Sequence, residues 1–169
     1  AANGTVVVVS GQLFGADSLS GGSFAFTDAN AGTAKTVTVA GVTVNDGNNG
    51  GNYTITYADN TTSIIGKAAL TVTANDAAKT YDGHAFSGGN GVTYSGFVNG
   101  ETDSVLGGTL TYGGTAQGAV NAGSYTLTAS GLTSGNYDIS YADGALSVGK
   151  ASLTVTANDA AKTYDGLAF

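Results

Sequence analysis

The chain contains no cysteine, no proline, one histidine and one glutamate, and its only basic residues are five lysines. Without cysteine there is no disulfide framework, although small extracellular domains often depend on one. Two settings account for that: a cytosolic home, or export across a membrane in the unfolded state, where early crosslinks would block passage. Composition leaves both open. Lack of proline removes slow isomerisation from refolding. Five lysines against twelve acidic residues give a net charge of −7. No basic patch is available to neutralise phosphates, so nucleic acid is not an expected partner. The longest block of large apolar residues, Val6–Val9, is the length of a strand and far short of a membrane span, so no membrane insertion is expected.

The same scarcity limits chemistry. His84 stands alone, and zinc has no ligand set without cysteine or a second histidine. Serine has no base at a fixed relation for a nucleophilic triad. Paired carboxylates could support glycoside hydrolysis, but the one glutamate, Glu101, lies in the turn Asn99–Asp103, where an acid is normally solvated. The oxygen-rich run Asn45–Asn52 holds one carboxylate and no closing glutamate, so it reads as a long turn and not a calcium loop. No enzyme activity, cofactor or metal is expected.

What is present is a repeat. Lys67–Phe86 returns 83 residues later as Lys150–Phe169 with two substitutions, Ala69 to Ser152 and His84 to Leu167. A fixed period of this kind marks an array of modules. The chain is expected to hold the back part of one module (1–66), one whole module (67–149) and the first strand or strands of the next (150–169). The first part is a divergent relative of the second. Asn30–Val42 parallels Asn121–Leu132, and Asn52–Lys67 parallels Asn136–Lys150, each with one extra residue.

Apolar and Thr residues alternate. Leu70, Val72 and Ala74 alternate with Thr71 and Thr73; Tyr125, Leu127 and Ala129 alternate with Thr126 and Thr128. Val37 and Val39 follow the same rule, as do Tyr53, Ile55 and Tyr57 and their counterparts Tyr137, Ile139 and Tyr141. Period two with one Thr-rich face is the pattern of half-buried antiparallel strands. Gly, Asn and Asp clusters punctuate it. Seven strands are predicted in the whole module: 69–74, 79–81, 92–97, 109–112, 124–129, 136–141 and 145–148. Short, regular strands of this sort predict a two-sheet β-sandwich. A parallel β-helix would need a sub-period of about 20–30 residues, and none is found. The last strand of one module meets the first of the next across little more than Gly-Lys-Ala, too short for a flexible linker. The modules are therefore expected to stack end to end as a rod, adding roughly 35–45 Å per repeat.

The strings KTYDG, GFVNGETDS, NAGSYTLTASGLTSGNYDISYADGALSV and KASLTVTA resemble the bacterial Ig-like modules called MBG repeats. GADSLSGGSFAFTDANAGTAKTVTVAGVTV with NYTITYADN resembles the companion YDG repeat. MBG modules often carry a proline after the opening Tyr-Gly/Asp; His84-Ala85-Phe86 stands there instead. Such repeats occur as tandem arrays in large secreted or surface-attached bacterial adhesins, including filamentous-haemagglutinin-like proteins exported through a partner pore. The resemblance implies an all-β fold of tandem Ig-like antiparallel β-sandwiches, an extracellular or cell-surface location, and a spacer or adhesive role in a fibre, matrix or biofilm. It supplies no catalytic residues.

The repeated triplets Tyr81-Asp82-Gly83 and Tyr164-Asp165-Gly166 are read as structural: Asp-Gly makes a turn, and Tyr packs its ring while its hydroxyl finds a backbone partner. His84 alternates with Leu167 and is read as a structural or surface residue. Tyr53, Tyr57, Tyr137 and Tyr141 are expected in the core; Tyr94 and Tyr112 are less constrained. Asn3-Gly4-Thr5, Asn52-Tyr53-Thr54 and Asn60-Thr61-Thr62 match the glycosylation acceptor pattern. Leu153, Val155 and Ala157 mark a strand without its sheet, a candidate for self-association. The leading function is a structural spacer or stalk whose partners are neighbouring repeats. The rivals are a glycan- or host-protein-binding module and a fibre unit joined to other copies by strand addition.

Overall fold

The computed structural model describes residues 4–168. Ten strands form: β1 (Ser18–Phe26), β2 (Gly32–Asn45), β3 (Asn60–Ile65), β4 (Ala68–Ala74), β5 (Ala77–Thr80), β6 (Val92–Ser95), β7 (Gly107–Gly113), β8 (Gly123–Thr133), β9 (Tyr137–Ala142) and β10 (Gly144–Gly149). A 3-10 turn spans Asp103–Val105, and no α-helix occurs among the described residues. The protein is all-β. It divides into two compact units. One is the chain up to Val72 with Tyr94–Thr109 and Gly131–Ser140; the other is Thr73–Thr93, Leu110–Ser130 and the chain from Tyr141 on. The repeat boundary expected at 66/67 falls inside the first unit.

In the first unit, β1, β2 and β3 form an antiparallel sheet in that order. Leu19 faces Val44 and Phe24 faces Val39 across the β1–β2 pair. These residues share a face although their spacing along each strand breaks strict alternation. Positive φ at Gly21, Gly22 and Gly41 lets both strands slip parity together, which a side chain would resist. Val44 is buried; Leu19, Phe24, Val37 and Val39 are half-buried and line a cavity of about 590 Å³ that also touches Tyr53 and Ile55.

That cavity marks a correction. The alternation of Tyr53, Ile55 and Tyr57 predicts a core strand, yet residues 53–59 form none, and Ile55 and Tyr57 are each 43 % exposed. The matching segment β9 is a strand because β4 lies beside it. Residues 53–59 have no such neighbour among the described residues, and a strand with unpaired backbone groups is not stable alone.

The expected strands of the whole module do form, with bounds shifted by a residue or two except at β8, which runs four residues further than expected. Leu70, Val72 and Ala74 are all buried, with half-exposed Thr71 and Thr73 between them. In the second unit one core joins two sheets. Leu127, Ala129, Leu146 and Val148 come from the sheet ordered β5-β10-β8-β7, and Ala74 from the sheet ordered β6-β4-β9. Val92 and Tyr141 pack against the same cluster.

Strand direction is the second correction. A purely antiparallel sandwich was expected, but β5 and β10 are parallel, with Leu146 opposite Ala77 and Val148 opposite Lys79. β4 and β9 also run the same way: Ala68 N–H donates to Asn136 O at 2.9 Å, and Thr71 Oγ1 meets Ser140 Oγ at 3.2 Å. Alternation reports which face a residue takes and carries no information on direction. Parallel neighbours need a long connection, and here nearly the whole module supplies it. Asn75 and Asp76 form the step by which the chain leaves one sheet for the other. Asn75 Nδ2 donates to Asn90 O, Asn90 Nδ2 donates to Asp76 O, and the Asp76 carboxylate accepts Ala145 N–H at 2.8 Å.

Candidate functional site

Two hydrogen-bonded constellations in the first unit recur at the same spacing. The Tyr137 hydroxyl donates to Glu101 Oε2 at 2.5 Å and accepts Val98 N–H at 3.1 Å. The Tyr53 hydroxyl donates to Asp17 Oδ2 at 2.6 Å and accepts Phe14 N–H at 3.0 Å. In each case the carboxylate lies 36 residues before the Tyr and the N–H donor 39 residues before. Each carboxylate is presented by a tight turn, closed by Glu101 N–H on Val98 O and by Asp17 N–H on Phe14 O. The hydrogen bond to Glu101 raises the Tyr137 pKa above its ordinary value, and that to Asp17 raises Tyr53. Tyr137 is buried, with Phe97 edge-on to its ring and Tyr94 tilted against Phe97, both at 5.4 Å. Glu101 is thus half-buried and engaged, in contrast to the solvated turn acid its position in the sequence predicts. The shared spacing to Tyr in both repeats was the available signal.

A second group surrounds Asn136. Its Oδ1 accepts Ala31 N–H at 2.9 Å, and its Nδ2 donates to Asn30 Oδ1 at 3.0 Å. Its backbone O accepts Ala68 N–H, and Lys67 Nζ donates to Ser134 O at 3.1 Å. One residue therefore ties the Asn30 turn, the start of β4 and the start of β9. An amide side chain suits this position because it donates and accepts at once. Nothing in the local sequence pattern flags Asn136, since its side-chain partners lie more than a hundred residues away.

At the repeated triplets the chain bends through Gly83 and Gly166. Lys79 Nζ bonds Asp82 Oδ1 and His84 O, both at 2.7 Å, and His84 N–H donates to Asp82 Oδ1 at 2.9 Å. Asp165 reproduces this with Lys162 and Leu167. In both, the hydrogen bond from lysine chiefly lowers the aspartate pKa. Gly83 and Gly166 each take φ +78, the left-handed region that glycine favours. The Tyr rings differ from expectation: Tyr81 is 44 % and Tyr164 93 % exposed. What Tyr81 gives the fold is its N–H, donated to Gly149 O at 2.8 Å.

In the Asn45–Asn52 loop, burial pushes the Asp46 pKa up, and hydrogen bonds from the N–H groups of Gly50, Asn48 and Asn52 outweigh it and lower the pKa. Those oxygens are occupied by the loop's own backbone. His84 is exposed. Asn52 and Asn60 are exposed, and Asn60 Oδ1 caps Thr62 and Ser63; Asn3 lies outside the described residues. Leu153, Val155 and Ala157 are exposed and belong to no strand.

Two paired repeats with the same Tyr–carboxylate lock, joined through an asparagine, call for two related domains in series. Residues 70–147 match the MBG domain (YGX type), and residues 1–62 match the YDG domain. No curated protein and no solved structure matches the chain. Asn30 and Ala31 thus lie in the YDG match and Asn136 in the MBG match. The Asn136 group is a joint between two domains and not a feature of either alone. It pins the YDG-type stretch to the MBG-type stretch by side-chain and backbone hydrogen bonds, with only Gly66-Lys67 between β3 and β4.

Proposed function

We propose that these domains are spacer modules of a long bacterial surface or extracellular adhesin or filament. They act by holding a fixed distance and direction. The observation that carries this reading is the Asn136 joint, which couples successive domains by direct bonds in place of a linker. The repeated Tyr–carboxylate lock supports it, because the polar groups best able to act on a ligand are turned onto the protein's own backbone and side chains. Each domain is read as an Ig-like sandwich stacked on the next, with stability roughly additive along an array.

The test is a tandem array of three or more 83-residue repeats. Small-angle scattering and force microscopy are expected to give a stiff particle that lengthens by roughly 35–45 Å per repeat. A flexible chain of beads would overturn the reading. Glycan arrays and host-protein pull-downs separate it from the adhesive alternative, since a spacer retains no ligand.

A further inference from the structure

The Tyr137 lock closes on a turn that carries an exposed Asn-Gly pair. Glu101 N–H returns to Val98 O at 3.0 Å, and the residues between them, Asn99 and Gly100, have φ of +52 and +73. Positive φ at both central positions makes a type I′ turn, which asparagine followed by glycine suits. Both residues are exposed, and no atom beyond the adjacent residues lies within 4 Å of where a Gly100 side chain would begin. Among the described residues no hydrogen bond engages the Asn99 carboxamide or the Gly100 N–H. Asparagine also precedes glycine at 49–50 and 90–91, and there the same groups are held. Gly50 N–H donates to Asp46 Oδ1 at 2.8 Å. Asn90 Nδ2 donates to Asp76 O at 2.8 Å, and Asn90 O accepts Asn75 Nδ2 at 3.1 Å. The turn of the Tyr53 lock has Gly15-Ala16 in the corresponding place and no asparagine.

We infer that Asn99 is a modification site, converted to isoaspartate without an enzyme, and that the product opens the Tyr137 lock. Water is the only co-reactant. The Gly100 amide nitrogen attacks Asn99 Cγ. The N–Cγ bond forms, the Cγ–Nδ2 bond breaks, and Nδ2 leaves as ammonia with the Gly100 amide proton. Glycine permits this because no side chain shields its nitrogen. Water then opens the succinimide. Attack at Cγ gives aspartate; attack at the main-chain carbonyl gives isoaspartate, whose backbone runs through Cβ and Cγ. Either product replaces a neutral, thermolabile amide by a carboxylate two residues from Glu101, and like charges so close repel. Isoaspartate also adds a backbone atom between Val98 and Glu101, which must reach one hydroxyl. Val98 N–H donates to the Tyr137 oxygen at 3.1 Å, and Glu101 Oε2 accepts from it at 2.5 Å. Ring closure at Asn49 or Asn90 is slower, because it must first break the bonds that hold Gly50 N–H or the Asn90 carboxamide. The reaction belongs to one turn of the MBG-type stretch and is the same whether or not that stretch is a spacer.

The test holds the full chain in mildly alkaline buffer, well below its melting temperature, and follows it by mass spectrometry. Cleavage at lysine and at Glu101, the single glutamate, releases residues 80–101, which carry Asn90 and Asn99 together. Deamidation is expected to run several-fold faster at Asn99 than at Asn90 or Asn49, with isoaspartate detected by enzymatic carboxyl methylation. Asn99→Gly keeps a residue that accepts positive φ and is expected to remove most of the methylation signal. Hydrogen exchange reads the lock. In the aged chain, exchange at Val98 N–H should quicken several-fold while exchange at Phe14 N–H, in the Tyr53 lock, stays the same. In aged Asn99→Gly neither should change. An Asn99 that stays intact, conversion at Asn49 or Asn90 that is equal or faster, or a converted chain with unchanged Val98 exchange overturns the inference. So does Val98 exchange that quickens equally in aged Asn99→Gly.

Discussion

Lys67–Phe86 and Lys150–Phe169 share eighteen of twenty residues and take different structures over their described lengths. The first copy builds β4 and β5 and buries Leu70 and Val72 completely; the second leaves Leu153 and Val155 in solvent. One feature survives in both. The Lys-Thr-Tyr-Asp-Gly turn keeps its ion pair, its Asx hydrogen bond, its lysine–carbonyl bond and its glycine φ of +78. The turn is a local property of its residues. The strand is a property of its neighbours, because its backbone groups and apolar face are satisfied only across a sheet.

This contrast can be broken most forcefully in the strand. Leu70→Ala is expected to cost about 2–5 kcal/mol by leaving a cavity in a close-packed site. Leu153→Ala should change stability by less than about 0.5 kcal/mol in the isolated chain at low concentration, as exposed positions do. Chemical denaturation of the two variants measures the gap, and equal losses would remove the distinction. Next in size is the Tyr lock. Tyr137→Phe removes the hydroxyl that joins the Val98 N–H to the Glu101 carboxylate and is expected to lower the melting temperature by a few degrees. Tyr53→Phe, at a half-buried site, should lower it less.

Smaller again is the joint. Asn136→Ala removes the bonds to Asn30 and Ala31 and is expected to cost about 1 kcal/mol. Hydrogen exchange at Ala31 N–H is the sharper readout; it should quicken in the variant while exchange within β8 is unchanged. The smallest effect belongs to the turns. Asp82 and Asp165 both have folded pKa values lowered by their lysines, so their contribution is present above the ordinary aspartate pKa and is lost as pH falls through the lowered values. NMR titration should find the two carboxyls shifted in the same direction despite their different settings. Tyr53 and Tyr137 work in the opposite sense. Their raised pKa values give a contribution present below the ordinary phenol pKa of about 10 and lost as pH rises through the folded values.

The strands of the MBG-type part were legible because alternation of Leu70, Val72 and Ala74, or of Tyr125, Leu127 and Ala129, records a buried face residue by residue. Turn chemistry was legible at Asp82-Gly83 for a similar reason: everything needed lies within five residues. Alternation overreached at Tyr53, Ile55 and Tyr57, where the pattern of a strand is present and its partner is not. Chain direction was invisible, since Val148 has the same neighbours on its face whether β5 runs up or down. Asn136 and Glu101 were missed because each acts on a residue far away in sequence, and a single asparagine or glutamate in a turn carries no local mark.

The parallel course of β5 against β10 sets how the MBG-type stretch meets tension. β5 lies near the point where the chain enters this stretch, and β10 is where it leaves. A pull on the two ends drags these strands past one another along their length. Their hydrogen bonds are loaded in shear and must yield together, whereas an antiparallel hairpin pulled at its open end peels one bond at a time. Resistance to force is then governed by the unfolding barrier and not by equilibrium stability. A strand pair of only four residues can in this way hold far more tensile load than its small contribution to folding free energy implies.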